Sequence, residues 1–142
     1  MQKEVIISIQ GMEKMQEDSE AVNTKLVTEG KYYKKGDKHY LSYKETEATG
    51  FGATTTMLKI EKDAVSVTRY GQINSHMIFK NGERHTGHYE TPFGSFTIGV
   101  VSDAVRVEME EGKGLIDIHY MLEIDNNTRA EHQLSLHVQE ME

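Results

Sequence analysis

Ile116-Asp117-Ile118-His119-Tyr120-Met121-Leu122-Glu123-Ile124 carries an apolar or aromatic side chain at every even position. In an extended chain successive side chains point to opposite faces, whereas a helix needs apolar residues three and four apart. The segment therefore predicts a half-buried strand, with His119 and Glu123 on the outer face. Leu134, Leu136 and Val138 repeat the alternation nearer the C-terminus, against His137 and Gln139. Toward the N-terminus it recurs at Val105, Val107 and Met109, at Phe96, Ile98 and Val100, at Val65 and Val67, and at Met77 and Phe79.

Turn residues separate these runs. Lys35-Gly36-Asp37-Lys38, Glu61-Lys62-Asp63, Gly71, Asn81-Gly82-Glu83, Glu111-Gly112-Lys113-Gly114 and Asp125-Asn126-Asn127 supply the Gly, Asn and Asp that tight hairpins favour. The strand runs fall at residues 2–10, 22–34, 38–46, 53–61, 64–71, 74–80, 85–90, 95–102, 103–110, 114–125 and 129–140, and some adjoining runs can be continuous. Short connections favour antiparallel neighbours, and closure removes exposed sheet edges. The expected fold is all-β: one antiparallel up-and-down barrel of about 8–10 strands spanning residues 1–142. A two-sheet sandwich is the alternative. The segment Gly11–Ala21 is the one helix candidate, where Met12 and Met15 could dock a single turn, although its five charged residues suit a loop equally. No internal repeat, proline-rich linker or low-complexity tract suggests a second domain.

The chain has 142 residues, 37% hydrophobic and 27% charged, with mean hydropathy −0.60. That balance suits a globular protein better than a membrane-spanning or disordered one. With no cysteine, disulfides, thiolate metal sites and a cysteine nucleophile are excluded, and a reducing compartment is the natural fit. The Val5-Ile6-Ile7-Ser8-Ile9 run is too short for a signal-peptide core. A cytoplasmic protein without a membrane partner is the expectation.

The formal charge of −7 is uneven: residues 1–102 hold 13 basic and 13 acidic residues, and residues 103–142 hold 3 and 10. Within the front part, Lys31, Lys34, Lys35, Lys38 and Lys44 interleave with Tyr32, Tyr33, Tyr40 and Tyr43. Single-stranded nucleic acid binders combine such residues. The acidic balance of the chain favours a solvated hairpin instead, so nucleic acid is not an expected partner.

Several polar residues share the apolar register. Arg69 follows Val65 and Val67, Glu45 follows Leu41 and Tyr43, Tyr120 sits within its strand, and Thr54 and Thr56 precede Leu58 and Ile60. Tyr89 and Thr91 lead into Pro92-Phe93-Gly94. A buried arginine needs an acid, hydroxyls or a bound anion, and Glu45 is the nearest partner in register. Arg69, Glu45, Tyr43, Tyr89, Thr91 and Tyr120 are accordingly the candidate ligand-binding residues; a buried ion pair closing a polar barrel end is the bland alternative. The single proline marks a corner, either a strand-terminating turn or a rim over the cavity mouth with Phe93 as a lid.

Seven histidines prompt a search for metal ligands. His85 and His88 are three apart, so an extended strand would send them to opposite faces. His119 and His137, on polar faces, could be cross-strand neighbours. No metal or other cofactor is expected, and no serine-hydrolase elbow, phosphate loop, dinucleotide fingerprint or zinc-protease motif is present.

Six elements in order, Tyr40-Leu41-Ser42-Tyr43-Lys44-Glu45, Thr54-Thr55-Thr56-Met57-Leu58-Lys59-Ile60, Arg69-Tyr70-Gly71, Met77-Ile78-Phe79, Tyr89-Glu90-Thr91-Pro92-Phe93-Gly94 and Ile116 to Tyr120, resemble the YwiB-like family of uncharacterised bacterial β-barrel proteins. The resemblance covers the whole chain. It implies a calycin-like barrel, related in shape to lipocalins and fatty-acid-binding proteins, in a small cytoplasmic protein of Gram-positive bacteria. It implies no activity and supplies no catalytic residues.

Three function classes follow. The first is a binding module for a small, partly apolar molecule, with Arg69 reading a carboxylate or phosphate beside the tyrosines. The second is a filled barrel whose lysine and tyrosine hairpin or outer face meets a protein or RNA. The third is an enzyme, since barrels of this shape host varied chemistry and fold does not fix function.

Overall fold

A computed structural model describes residues 2–15, 20–46, 52–124 and 128–141. Ten strands occur in chain order: β1 (Gln2–Lys14), β2 (Val22–Lys35), β3 (Lys38–Lys44), β4 (Thr54–Ile60), β5 (Ala64–Gly71), β6 (Asn74–Lys80), β7 (Arg84–Thr91), β8 (Gly94–Glu110), β9 (Lys113–Ile124) and β10 (Thr128–Glu140). Each pairs antiparallel with its neighbour in sequence, and β1 pairs with both β2 and β10 to close the barrel. The structure is therefore a closed barrel and not a sandwich. Two-residue turns join several strands, and at Gly36 (φ 63°) and Gly112 (φ 78°) the backbone enters a region that glycine adopts without strain.

Alternation sets the inner face. Val5, Ile7 and Ile9 of β1, Leu41 of β3, Leu58 and Ile60 of β4, Val65 and Val67 of β5, Phe79 of β6, Ile116 and Ile118 of β9, and Leu136 and Val138 of β10 are all buried. Each such aliphatic or aromatic side chain contributes on the order of 1.5–3 kcal/mol when fully removed from water.

One expectation changes and one left open is decided. Gly11–Lys14, within the helix candidate, continue β1: Gly11 lies opposite Leu134 and Thr24, and Glu13 opposite His132 and Val22. Strands on both sides offer hydrogen bonds to this backbone, which outweighs the weak local pull of Met12 and Met15 toward a helical turn. Residues 16–19 of that candidate lie outside the described residues. The runs at 95–102 and 103–110 are one strand, β8, with a register shift between Ser102 and Ala104. The extra residue, Asp103, swaps the inward parity from Ile98 and Val100 to Val105 and Val107. Among the described residues no helix is long and apolar enough to cross a membrane.

Candidate functional site

One half of the barrel is packed and the other is hollow. A cavity of about 360 Å³ occupies the end bounded by the β5–β6 and β7–β8 connections. Ile9, Met77, Ile98, Leu122, Ile124 and Leu134 supply apolar wall. Phe79 packs beneath, its ring centroid 4.6 Å from that of Tyr120. Exposed Glu13, Val22 and Phe96 border the opening.

Five of the six expected site residues meet here: Tyr43, Glu45, Arg69, Tyr89 and Tyr120 all line the cavity. β3 brings Tyr43 inward, and Glu45 follows at the same parity just past the strand end. β4 carries Thr56 directly opposite both Tyr43 and Arg69. Thr56 Oγ1 donates to Glu45 Oε2 at 2.5 Å, and Arg69 Nε lies 3.5 Å from the same oxygen. The side chains of Arg69 and Glu45 are only 7% and 2% exposed. Glu45, the nearest candidate in register, does pair with Arg69, a meeting the sequence left open, and the pair satisfies a charge that burial alone would penalise heavily.

Thr91 is elsewhere. Its hydroxyl accepts from the Phe93 backbone N–H at 3.1 Å and donates to the Gly94 carbonyl at 3.2 Å, fastening the β7–β8 turn outside the cavity. Threonine so placed is captured by its own turn, because the backbone groups two and three residues on lie within reach. Phe93 is 96% exposed and does not line the cavity, so Pro92-Phe93 is a turn and not a lid.

The site also holds residues the sequence reading passed over. His132 of β10 stacks on Tyr120 with centroids 4.9 Å apart and planes within 9°. It lies between Tyr120 of β9 and Glu13 of β1 in register. The signal was available, because His132 shares the parity of Leu134, Leu136 and Val138. Glu13 likewise shares the parity of Val5, Ile7 and Ile9, but the charged run around it disguised the strand.

Burial dominates the electrostatics of the site. Burial pushes the Tyr120 phenol up to about 12, with Arg69 pulling it back and Glu13 adding to the rise. Burial also raises Tyr43, aided by Glu45 and opposed by Arg69, and raises half-buried Tyr89 against the pull of Arg69. Burial lowers the His132 imidazole, with Arg69 reinforcing and Glu13 opposing the shift. The tyrosines therefore stay protonated at neutral pH and act as donors. Neither Tyr89 nor Tyr120 has a hydrogen-bond partner among the described residues. Arg69 with these two hydroxyls forms a donor-rich wall beside an apolar chamber.

The remaining histidines do not converge. β7 puts His85 on the inner parity, beside Glu83 at 3.1 Å, and sends His88 outward opposite His76. His119 faces Gln133 and His137 faces Leu115, so these two are not cross-strand neighbours; the β9–β10 register sets them four rungs apart. Among the described residues no three His, Asp or Glu side chains could hold one metal ion. In the lysine and tyrosine hairpin, Tyr32 and Tyr43 turn inward while Tyr33 and Tyr40 stack outside, 4.6 Å apart.

The fold and site define a class: a closed antiparallel barrel, hollow at one end, with a buried Arg–Glu pair in the cavity wall. The chain belongs to the family described as domain of unknown function DUF1934, whose model matches residues 7–136. It is 25% identical over 136 residues to the uncharacterized beta-barrel protein YwiB of Bacillus subtilis (strain 168), covering 96% of this chain and 94% of that protein. The crystal structure of the ywiB protein from Bacillus subtilis superposes with a TM-score of 0.84 at 21% identity, over 99% of this chain and 94% of that one. That likeness shows a shared fold.

Proposed function

We propose that the barrel is a binding module for a small, partly apolar molecule whose acidic head group sits against Arg69, Tyr89 and Tyr120. The observation that carries this reading is the cavity of about 360 Å³, apolar along most of its wall and donor-rich at Arg69. Ligand pockets combine these properties: apolar area supplies affinity, and a few convergent polar groups fix orientation. A guanidinium only donates and each phenol hydroxyl can donate as well as accept, so together they favour a group that accepts. This is the use expected of a calycin-like barrel, and the cytoplasm is where we place it.

Native mass spectrometry of the protein purified from its own host tests the reading. A reproducible mass increment is expected, lost on organic extraction and reduced in an Arg69→Met variant. Protein that is always empty, and that also fails to bind a fluorescent fatty-acid probe, would sink it.

A further inference from the structure

We propose that the outer face of β2–β5 binds single-stranded nucleic acid, with lysines along its phosphates and tyrosines stacked against its bases. The inference is independent of the cavity and concerns the other side of the same sheet.

Antiparallel register places the side chains. β2 pairs with β3, β3 with β4 and β4 with β5, so residues whose sequence neighbours point into the barrel form continuous rows outside it. One row runs Tyr33, Tyr40, Lys59; the next runs Lys31, Ser42, Met57; beyond it Lys44 and Thr55 lead to Tyr70. Successive rows are two residues apart along each strand, about 7 Å. Parity thereby sorts the hairpin: Tyr32 and Tyr43 enter the core, whereas Tyr33 and Tyr40 stay outside with the lysines.

Charge and aromatic surface coincide on this face. Lys25, Lys31, Lys35, Lys38, Lys44 and Lys59 occupy outward positions of the four strands, against one acid, Glu29. Of these lysines only Lys59 has an ion-pair partner among the described residues, Glu61 at 3.5 Å; Glu4 of β1 lies opposite Lys31 at the border. Tyr33 and Tyr40 stack 4.6 Å apart with planes within 5°, and Tyr33 and Tyr70 remain 38% and 47% exposed. Phenol rings beside unpaired lysines on an open sheet suit a flexible polyanion with flat bases: phosphates meet the ammonium groups and bases stack on the rings. A duplex keeps its base faces inside, and an acidic peptide supplies the charge without the bases.

The acidic balance that weighs against nucleic acid in the sequence lies on the other side of the barrel. Residues 103–142, with 3 basic and 10 acidic residues, form the end of β8, β9 and β10, and closure sets β8–β9 across the ring from β3–β4. Ten strands about 4.8 Å apart make a ring about 15 Å across, wider than the screening length of about 8 Å at physiological salt. The barrel is thus polarised, with a lysine face that attracts a polyanion and an acidic face turned away from it.

Fluorescence anisotropy of the full chain with labelled oligo(dT) and oligo(U) of about twelve nucleotides tests the proposal. Binding is expected, weakening roughly 50-fold between about 50 and 200 mM salt for about four neutralised phosphates. Lys31→Glu with Lys44→Glu should abolish it. Tyr33→Leu should weaken it about fivefold or more and leave the salt slope unchanged, while Arg106→Gln on the acidic side should bind as wild type does. All four positions are exposed, so the variants keep the fold, which circular dichroism checks. Failure of both oligonucleotides at about 50 mM salt overturns the proposal, as does tighter binding of a duplex of the same sequence. Binding that is indifferent to Tyr33→Leu and matched by polyglutamate is a general polyanion effect and overturns it too. Capture of phosphatidylglycerol vesicles without either oligonucleotide assigns the face to a membrane instead. Each of these outcomes leaves the cavity reading where it stands, because that reading is tested by the co-purifying ligand.

Discussion

Arg69 Nε lies 3.5 Å from Glu45 Oε2 across the inside of the barrel, and both side chains are almost wholly withdrawn from solvent. Such a pair is held by the low local dielectric and loses its rationale when either member is removed. Arg69→Met or Glu45→Gln alone is expected to destabilise the fold by about 3–5 kcal/mol, since each leaves a buried charge uncompensated. Arg69→Met combined with Glu45→Gln should cost much less than the sum of the single changes. Urea unfolding of the four proteins completes the cycle, and strict additivity would show that the pair is not coupled.

Gly30 is buried on the inner face, where an added Cβ would stand 2.6 Å from Ile7 Cδ1 and 2.7 Å from the Ser42 carbonyl. A backbone oxygen cannot step aside as a side chain can. Gly30→Ala should therefore cost about 1–3 kcal/mol through overpacking. Thermal unfolding measures it, and an unchanged midpoint would contradict the packing described.

Alkaline stability follows from the tyrosines. Tyr120 ionises near 12 in the folded protein against an ordinary value of 10.0, and Tyr43 and Tyr89 are raised as well. A raised folded value gives stability that is complete below pH 10 and lost as pH climbs toward 12, because the unfolded chain releases its protons first. Tyr120→Phe should flatten that decline. Absorbance titration of tyrosinate alongside unfolding at each pH would reveal the mismatch if all seven tyrosines titrate together while the fold persists.

His132 governs part of the acid limb. Its folded value lies below the ordinary 6.5, so its contribution is complete above pH 6.5 and falls away as the pH drops below it, where the unfolded chain takes up the proton first. His132→Asn is expected to shallow the loss of stability between pH 6.5 and the folded value. Denaturation midpoints across that window, compared with wild type, give the result; parallel curves would argue against it.

Phe93 projects from the β7–β8 turn, 96% exposed, and is not among the residues that line the cavity. Phe93→Ser should change stability by less than about 0.5 kcal/mol and leave probe binding intact. A large loss of probe affinity would revive the lid that the turn geometry disfavours.

Most of the strand pattern was legible because it is written at period two within single strands. Ile116 to Ile124, Leu134 to Val138 and Val65 to Arg69 each declare an inner face without reference to any neighbour, and the inward placement of Tyr43, Glu45, Arg69 and Tyr120 follows from that parity alone. Tyr89 could be placed by the same rule. Thr91 misled, since parity tells which way a side chain starts and not that its turn will claim the hydroxyl. The helix candidate misled for a related reason: Gly11–Lys14 have little intrinsic strand character and are extended because β2 and β10 pair with them from both sides.

The strand faces, the hairpin turns and the barrel class are local properties, fixed by alternation and by residues that tolerate tight turns. The meeting of Glu13, His132 and Tyr120 on adjacent strands, the parity switch at Asp103, the contact of Arg69 with Glu45 and the hollow end of the barrel are not local. Those depend on how far each strand is displaced against the next and on where β1 closes onto β10. Register is set by the whole closed sheet, whose stagger and tilt must agree around the ring.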